Sequence, residues 1–169
     1  VIISTPDHTH FAPAMIAMEL GKHVYIEKPL ANNVWECRTL KKAANYYNIV
    51  SQMGNQGHTT NGIRQIKEWY EAGLLGEVKE IHAWIGGYNF GKGHYFDMPE
   101  NFPPAKNEIP SHLNWDLWLG PRKSRDYNPI FAPRSWRGFF DFGGGKLGDW
   151  SCHTLDGPFW ALDLGMPSE

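Results

Sequence analysis

The chain has 169 residues, which is enough for one or two domains with a sizeable hydrophobic core. Its net charge of −2 and its scattered basic residues exclude the electrostatic footprint of a nucleic-acid-binding protein. No run of about 18 apolar residues is present, so the sequence predicts no membrane-spanning helix. The two cysteines are too few for a disulfide framework and are interpreted as small core residues.

Residues 1–56 alternate short apolar runs with helical patterns. The predicted elements are strand 1–5, helix 10–20, strand 22–27, helix 34–47 and strand 49–53. This order with short connections is typical of an α/β domain with a parallel sheet.

The pattern changes after residue 57. We predict a helix over 62–72, a strand over 77–88 whose residues alternate between apolar and polar or aromatic, a strand over 135–142 and a helix over 146–164 that bends at Gly157-Pro158. Residues 89–135 carry seven prolines without periodicity and are interpreted as a long ordered loop. Residues 57–169 are therefore predicted to form part of an α+β domain whose open sheet is mainly antiparallel.

Lys28 follows the second predicted strand and precedes Pro29. The carboxyl ends of parallel strands are where open α/β sheets bind ligands, so Lys28 is a candidate site residue. The alternative is an ordinary lysine on the rim of the sheet. A cis bond before Pro29 would fix the direction of Lys28.

Asp149, His153 and Asp156 follow a triple glycine at helical spacing, which predicts that they share one helix face. A lysine, an aspartate and a histidine that converge can remove a proton from a hydroxyl group and hold the resulting charge. The alternative is a helix cap with a buried structural histidine. The glycines lack the Gly-x-Gly-x-x-Gly spacing of a phosphate-binding loop and are interpreted as a hinge.

His8 and His10 raise the alternative of a metal site, with His58, His153 or Asp149 as a third ligand. Side chains two residues apart diverge at a helix start, so we predict no metal at this position.

Three segments together resemble the Gfo/Idh/MocA oxidoreductases: residues 5–10 (TPDHTH), residues 21–30 (GKHVYIEKPL) and residues 143–156 from the triple glycine to Asp156. Residues 52–58 and 115–121 resemble one bacterial branch of that family. The resemblance implies that residues 1–56 are the C-terminal portion of a Rossmann domain that binds NAD or NADP. It also implies that residues 57–169 are part of a substrate and oligomerisation domain, and that the protein forms a homo-oligomer through the open sheet of this domain.

The resemblance also implies the roles of individual residues. The family's catalytic lysine matches Lys28, its general acid/base matches His153, and the residue that binds or orients the substrate matches Asp149. The expected cofactor-binding residues are Thr5, Pro6, His10, Glu27, Lys28, Pro29 and Gln52. The expected substrate-binding residues are Asn55, Trp136, Arg137 and Asp149.

The glycine-rich fingerprint of the family and the acidic residue that binds the ribose are expected before Val1, so the chain is interpreted as a fragment that holds half of a cofactor site. The choice between NAD and NADP stays open, and the expected compartment is the cytoplasm or periplasm of a bacterium.

The function expected from these motifs is a nicotinamide-dependent oxidoreductase that acts on the CH–OH group of a sugar, cyclitol or sugar derivative. A glycosidase that retains NAD and oxidises the sugar only transiently would use the same residues. Two alternatives from other classes are a metal-dependent hydrolase and a non-catalytic sugar-binding protein.

Overall fold

The computed structural model describes residues 1–86 and 94–165, and these form two compact units. The first unit contains Val1–Gly54 and the described part of Gly87–Asp149. The second contains Asn55–Gly86 and the described part of Trp150–Glu169.

The first unit is built on a three-stranded parallel sheet, which confirms the predicted α/β architecture of this region. Its strands lie in the order β1 (Ile2–Ile3), β2 (Val24–Glu27) and β3 (Ser51–Gly54). The connecting helices are α1 (Phe11–Glu19) and α2 (Val34–Tyr46). All three strands therefore present their carboxyl ends at the same edge of the sheet.

Apolar side chains from both helices and from the strands form the core under this sheet. Ile26 and Ala14 are completely buried, and Met18 and Leu40 are almost so. Gly21 ends α1 with a φ of +69°, a left-handed conformation that glycine adopts without steric cost. These contacts fix the point at which β2 begins and so determine where Lys28 lies.

A second core of the same unit consists of aromatic residues. It contains the short helix α4 (Trp115–Leu119), which the sequence interpretation had treated as loop, and the 3-10 turn Ser135–Gly138. The strand predicted for 135–142 is wrong. Trp136, Phe139 and Phe142 are buried at intervals of three residues while Phe140 is 90% exposed, a spacing that a strand of period two cannot produce.

The second unit contains α3 (Asn61–Glu71) and α6 (Asp156–Ala161), which pack against each other. Their approach is close at Gly157, where an added Cβ atom would lie 3.6 Å from the side chain of Ile63. The helix α5 (Gly145–Thr154) begins in the first unit and its residues from Trp150 belong to the second.

The single helix predicted for 146–164 is interrupted. α5 ends at Thr154 and α6 starts at Asp156, so the break comes at Leu155 rather than at Gly157-Pro158. Pro158 lacks an N–H group and is accommodated in the first turn of a new helix rather than in the interior of a continuous one. Asp156 consequently lies on a different helix from Asp149 and His153.

The strand predicted for 77–88 is wrong over residues 77–86, which have no strand conformation; residues 87 and 88 lie outside the described part of the chain. The alternation of side chains was a real pattern, but a strand needs a hydrogen-bonded neighbour, and Trp84 is 81% exposed. Within the described ranges the parallel sheet is the only sheet, so the open antiparallel sheet is not confirmed.

No helix in residues 1–86 and 94–165 is both long and apolar enough to cross a membrane.

Candidate functional site

Lys28 lies directly after β2 and is held by one residue from the far end of the chain. Its Nζ atom donates a 2.8 Å hydrogen bond to the backbone carbonyl of Asp149 and forms an ion pair with the carboxylate of the same residue. The lysine side chain is 17% exposed and the aspartate side chain 8% exposed. The Lys28–Pro29 peptide bond is cis. Lys28 and Asp149, which were selected from separate sequence motifs, are thus in direct contact.

An ammonium group has three N–H donors, and Asp149 accepts from Lys28 through its carbonyl and one carboxylate oxygen. The ion pair therefore fixes the direction of Nζ while one donor remains for another acceptor. A fixed donor at the carboxyl edge of a parallel sheet is suited to a hydroxyl oxygen or to a cofactor group bound at that edge.

Arg137 is the second cation beside Asp149. Its Nε atom lies 3.9 Å from the Asp149 carboxylate, and its guanidinium group stacks over the rings of Trp136 at 4.2 Å and Tyr95 at 4.8 Å. Trp136 itself is only 4% exposed, so it supports the guanidinium from the aromatic core. A Cβ atom at Gly143 would approach the Arg137 backbone to 2.9 Å, so the glycine permits this close contact within the chain.

Asp7 is a third carboxyl group in this neighbourhood. It is 5% exposed, and its Oδ2 atom has no hydrogen-bond partner among the described residues. Burial raises the pKa of Asp7 from 3.8 to about 7, while Arg137 lowers it, Asp149 raises it and Lys28 lowers it. The Asp7 carboxyl group therefore has a pKa near neutral pH rather than near 4.

His10 connects two of the loops at the sheet edge. Its Nδ1 atom lies 2.9 Å from the carbonyl of Pro29, and its Nε2 atom lies 2.7 Å from the carbonyl of Thr5. The ring is 1% exposed. Both ring nitrogens face backbone carbonyl groups, which leaves neither for a metal ion. His10 therefore holds the segment after Lys28 against the loop after β1.

His8 is equally buried, and its Nε2 atom lies 2.9 Å from the carbonyl of Trp118. Burial lowers the pKa of His8, which favours the neutral form of the ring where it contacts Trp118 and Phe142. Within the part of the chain that the structure describes, no three histidine, cysteine or acidic side chains are grouped as metal ligands would be. The two histidines on which the metal-dependent alternative was based contact backbone carbonyl groups, His10 through both ring nitrogens and His8 through Nε2.

The remaining expected cofactor-binding residues lie on the three parallel strands or directly after them. Thr5 and Pro6 follow β1, Glu27 is the last residue of β2 and Gln52 lies within β3. Glu27 is opposite Gly54 in the strand register. A Cβ atom added at Gly54 would lie 2.8 Å from the Glu27 carboxylate. The small residue therefore leaves space for the acidic side chain.

The second unit contains a separate polar group. Asn55 donates a 3.1 Å hydrogen bond from Nδ2 to the Asp156 carboxylate, whose other oxygen lies 2.8 Å from Nδ1 of His58. His153 lies on α5, and its ring packs edge-on against Trp150 at 5.8 Å. The convergence of His153 with Lys28, expected from the motifs, stays a prediction.

Sequence reasoning missed two features of these sites. Asp7 was not selected as a site residue, although an acidic residue in the loop after the first strand was a signal for a site at the sheet edge. The contact between His58 and Asp156 joins positions 98 residues apart, and no local pattern indicates it.

The chain belongs to the Gfo/Idh/MocA oxidoreductase family. Residues 1–55 match the family model described as an NAD-binding Rossmann fold, and residues 59–165 match the model described as the C-terminal alpha/beta domain. The resemblance drawn from the motifs is thereby confirmed, and the oxidoreductase class and NAD-type cofactor are confirmed at the level of the family.

Several characterised proteins are similar to this chain. Levoglucosan dehydrogenase from Pseudarthrobacter phenanthrenivorans is 35% identical over 46% of this chain and 20% of its own length. The 2,7-anhydro-N-acetylneuraminate hydratase of Escherichia coli is 28% identical over 52% of this chain and 24% of its own. A crystal structure of an inositol dehydrogenase homologue from Azotobacter vinelandii, complexed with NADH and myo-inositol, covers 47% of this chain and 21% of that chain, with 35% identity and a TM-score of 0.46.

The chain thus spans between a fifth and a quarter of the length of these two curated relatives.

Proposed function

We propose that the full-length protein is a nicotinamide-dependent oxidoreductase that acts on the CH–OH group of a sugar, cyclitol or sugar derivative. The observation that carries this proposal is the anchored ammonium group of Lys28, held by Asp149 at the carboxyl edge of the parallel sheet. The family membership and the dehydrogenase among the relatives support the reaction class.

The residues at the sheet edge fit a nicotinamide group, since Lys28 keeps a donor and the strand ends leave polar backbone at one edge. A bound nicotinamide would supply the hydride acceptor. His153 would take the proton of the substrate hydroxyl group.

Each residue then has a definite task. Lys28 donates to the substrate oxygen and stabilises its developing negative charge. Asp149 orients Lys28, and His153 acts as the base. Arg137 supplies a second positive charge beside Asp149. The cofactor residues Thr5, Pro6, His10, Glu27, Pro29 and Gln52, and the substrate residues Asn55 and Trp136, remain part of this proposal.

The division into a cofactor domain, residues 1–56, and a substrate domain, residues 57–169, is part of the same proposal, as are a homo-oligomeric assembly and a bacterial cytoplasmic or periplasmic location.

The first test is whether the full-length protein binds a nicotinamide nucleotide. We expect NAD or NADP either to be released on denaturation or to raise the melting temperature when added, because a ligand that binds only the folded state stabilises it. Failure of both nucleotides to bind would overturn the oxidoreductase proposal.

The second test concerns the two residues assigned to proton transfer and charge stabilisation. His153→Ala and Lys28→Arg are each expected to reduce polyol-dependent NADH formation by about 10²-fold, because a general base and an aligned ammonium group are lost. Lys28→Arg keeps a cation beside the buried Asp149, so the fold is retained. Lys79→Arg is the matched control, since Lys79 is 77% exposed. Turnover at the wild-type level in His153→Ala would remove this residue from the mechanism.

A second candidate function is a redox-assisted reaction without net oxidation, such as the transient oxidation used by NAD-dependent glycosidases. The similarity to a 2,7-anhydro-N-acetylneuraminate hydratase supports this candidate. It predicts a tightly retained nucleotide and product formation without net change of NADH absorbance. Stoichiometric NADH formation with a polyol would exclude it.

A further inference from the structure

The second unit contains a histidine whose orientation is fixed by a carboxylate, and this pair is outside the residues assigned above to catalysis. His58 lies in the 3-10 turn Gln56–Thr59, which belongs to the second unit. Its Nδ1 atom is 2.8 Å from Oδ2 of Asp156, the first residue of α6. The pair therefore joins a turn to a helix start.

Asp156 is engaged through both carboxylate oxygens. Oδ2 contacts His58, and Oδ1 accepts a 3.1 Å hydrogen bond from Nδ2 of Asn55. The aspartate side chain is only 14% exposed. A carboxylate with both oxygens occupied in this way has little freedom to turn, so it presents a fixed acceptor to the imidazole ring.

The imidazole ring is also restrained by packing. Trp160 lies edge-on to the His58 ring, with the ring centroids 4.7 Å apart. Trp160 also contacts Lys67, whose ammonium group lies 5.1 Å from the centroid of the indole ring. The backbone of the turn is closed by a 3.0 Å hydrogen bond from the His58 N–H to the Asn55 carbonyl. Both the position and the plane of the ring are thus set.

The consequence is a defined tautomer. A neutral imidazole has one donor and one acceptor nitrogen, and a carboxylate at Nδ1 selects the form with the proton on Nδ1. Nε2 then carries the lone pair. The His58 side chain is 37% exposed, and no hydrogen bond to Nε2 is present among the described residues. The ring therefore offers an acceptor of fixed direction.

We propose that His58, positioned by Asp156 and Asn55, is a hydroxyl-binding residue for the polyol substrate, with Nε2 accepting a hydrogen bond from a substrate hydroxyl group. This inference rests on the proposed function, which supplies the identity of the ligand as a polyol. A polyol has several hydroxyl donors, and an acceptor of fixed direction distinguishes those that point towards it from those that do not. The alternative role is a tether that holds the turn against α6.

The tautomer and the contact are tested together by NMR on the full-length protein with ¹⁵N-labelled histidine. The His58 signals are assigned by their loss in His58→Gln. We expect an unprotonated Nε2 in the wild type, a mixture of tautomers in Asp156→Asn, and a shift of the Nε2 signal on addition of at least one of the probes myo-inositol, levoglucosan and glucose. His82, which pairs with Glu80 at 3.0 Å and is 71% exposed, is the matched control and is expected not to shift. A His58 signal that none of these polyols moves would overturn the proposal.

The kinetic test separates binding from a structural role. His58→Gln keeps a donor for Asp156 but changes the acceptor, so we expect a KM for the polyol raised by about tenfold, with little change in kcat or in melting temperature. Asp156→Asn is expected to raise KM similarly, because an amide allows the ring to reverse its tautomer. A lower melting temperature with unchanged KM would show that the pair is only a tether.

The two proposals fail in different ways. Absence of nucleotide binding would overturn the oxidoreductase function, while the NMR titration would still decide whether His58 contacts a polyol. Normal turnover with an unmoved His58 signal and unchanged KM would overturn the role of His58 alone.

Discussion

Burial and nearby charges both shift the pKa of the Asp7 carboxyl group, and burial has the larger effect. Its pKa of about 7 means that the folded state retains a proton that the unfolded chain releases near pH 4. Between these two values the folded state binds more protons than the unfolded state. The free energy of unfolding should therefore fall as the pH rises from about 4 to 7 and change little from this group outside that window.

Asp7→Asn should remove the contribution of Asp7 to the pH dependence of the free energy of unfolding. The difference between a pKa of 3.8 and one of about 7 corresponds to roughly 4 kcal/mol at most, so the variant should gain stability over the wild type at pH 8 and not at pH 4. Urea unfolding at both pH values measures the difference. Asp126→Asn, at a carboxylate 62% exposed and paired with Lys106, serves as the control and should show no such dependence. An equal effect of Asp7→Asn at both pH values would contradict the prediction.

Residue motifs were sufficient to select Lys28 and Asp149 but not to show that they touch. The motifs indicate residue type and local geometry, whereas the ion pair joins residues separated by 121 positions. Trp136 was selected for the substrate, and in the structure it is 4% exposed and packs in the aromatic core with the Arg137 guanidinium over its ring. Its role towards the substrate stays a prediction.

The N-terminus of α2 is capped by side chains in both directions. The Asn33 side chain accepts a 2.9 Å hydrogen bond from the Glu36 N–H, and the Glu36 carboxylate accepts one of 2.9 Å from the Asn32 N–H. This reciprocal arrangement satisfies backbone donors that the helix leaves unpaired.

Asn33→Ala should lower the free energy of unfolding by about 1 kcal/mol, because one capping hydrogen bond is lost. Thr60 is the matched comparison. It occupies the N-cap of α3 without a side-chain hydrogen bond to the helix, so Thr60→Ala should have a much smaller effect. Chemical denaturation of both variants provides the measurement, and equal losses would show that the capping bond is not the cause.

Periodicity predicted the elements of residues 1–56 well because both helices and the first two strands bury residues in a single core. α1 and α2 lie within one residue of their predicted bounds, β1 and β2 are shorter than predicted, and β3 starts two residues later and ends one residue later than predicted. The same reasoning failed at 77–86 and 135–142 because alternation or aromatic content was interpreted without knowledge of a partner strand. α4 was missed although Asn114 before Trp115 is a capping signal, with the Asn114 side chain accepting from the Leu117 N–H at 2.9 Å.

At the scale of the whole molecule, burial is distributed unevenly between the two units. Both hydrophobic clusters of the described residues belong to the first unit, whereas α3 of the second unit has no buried residue. Helices with few buried contacts open more readily than those packed in a core.

Amide hydrogen exchange of the 169-residue chain should therefore be faster in α3 than in α1. The helices are a matched pair, with 11 and 9 residues, and α1 buries Ala14, Ala17 and Met18. Mass spectrometry of peptides from the two helices gives the comparison directly. Equal protection in both would show that the second unit is stabilised by something other than its burial.

The separation of Lys28 and Asp149 along the chain also has a consequence during synthesis. Ribosomes add about 5–20 residues per second, so the 121 positions between them take roughly 6 to 24 s to translate. Throughout that interval the first strands and helices can form on the nascent chain, but the lysine has no aspartate to pair with. The charged pair at the sheet edge is therefore completed only after the strands and helices that position Lys28 have had time to fold.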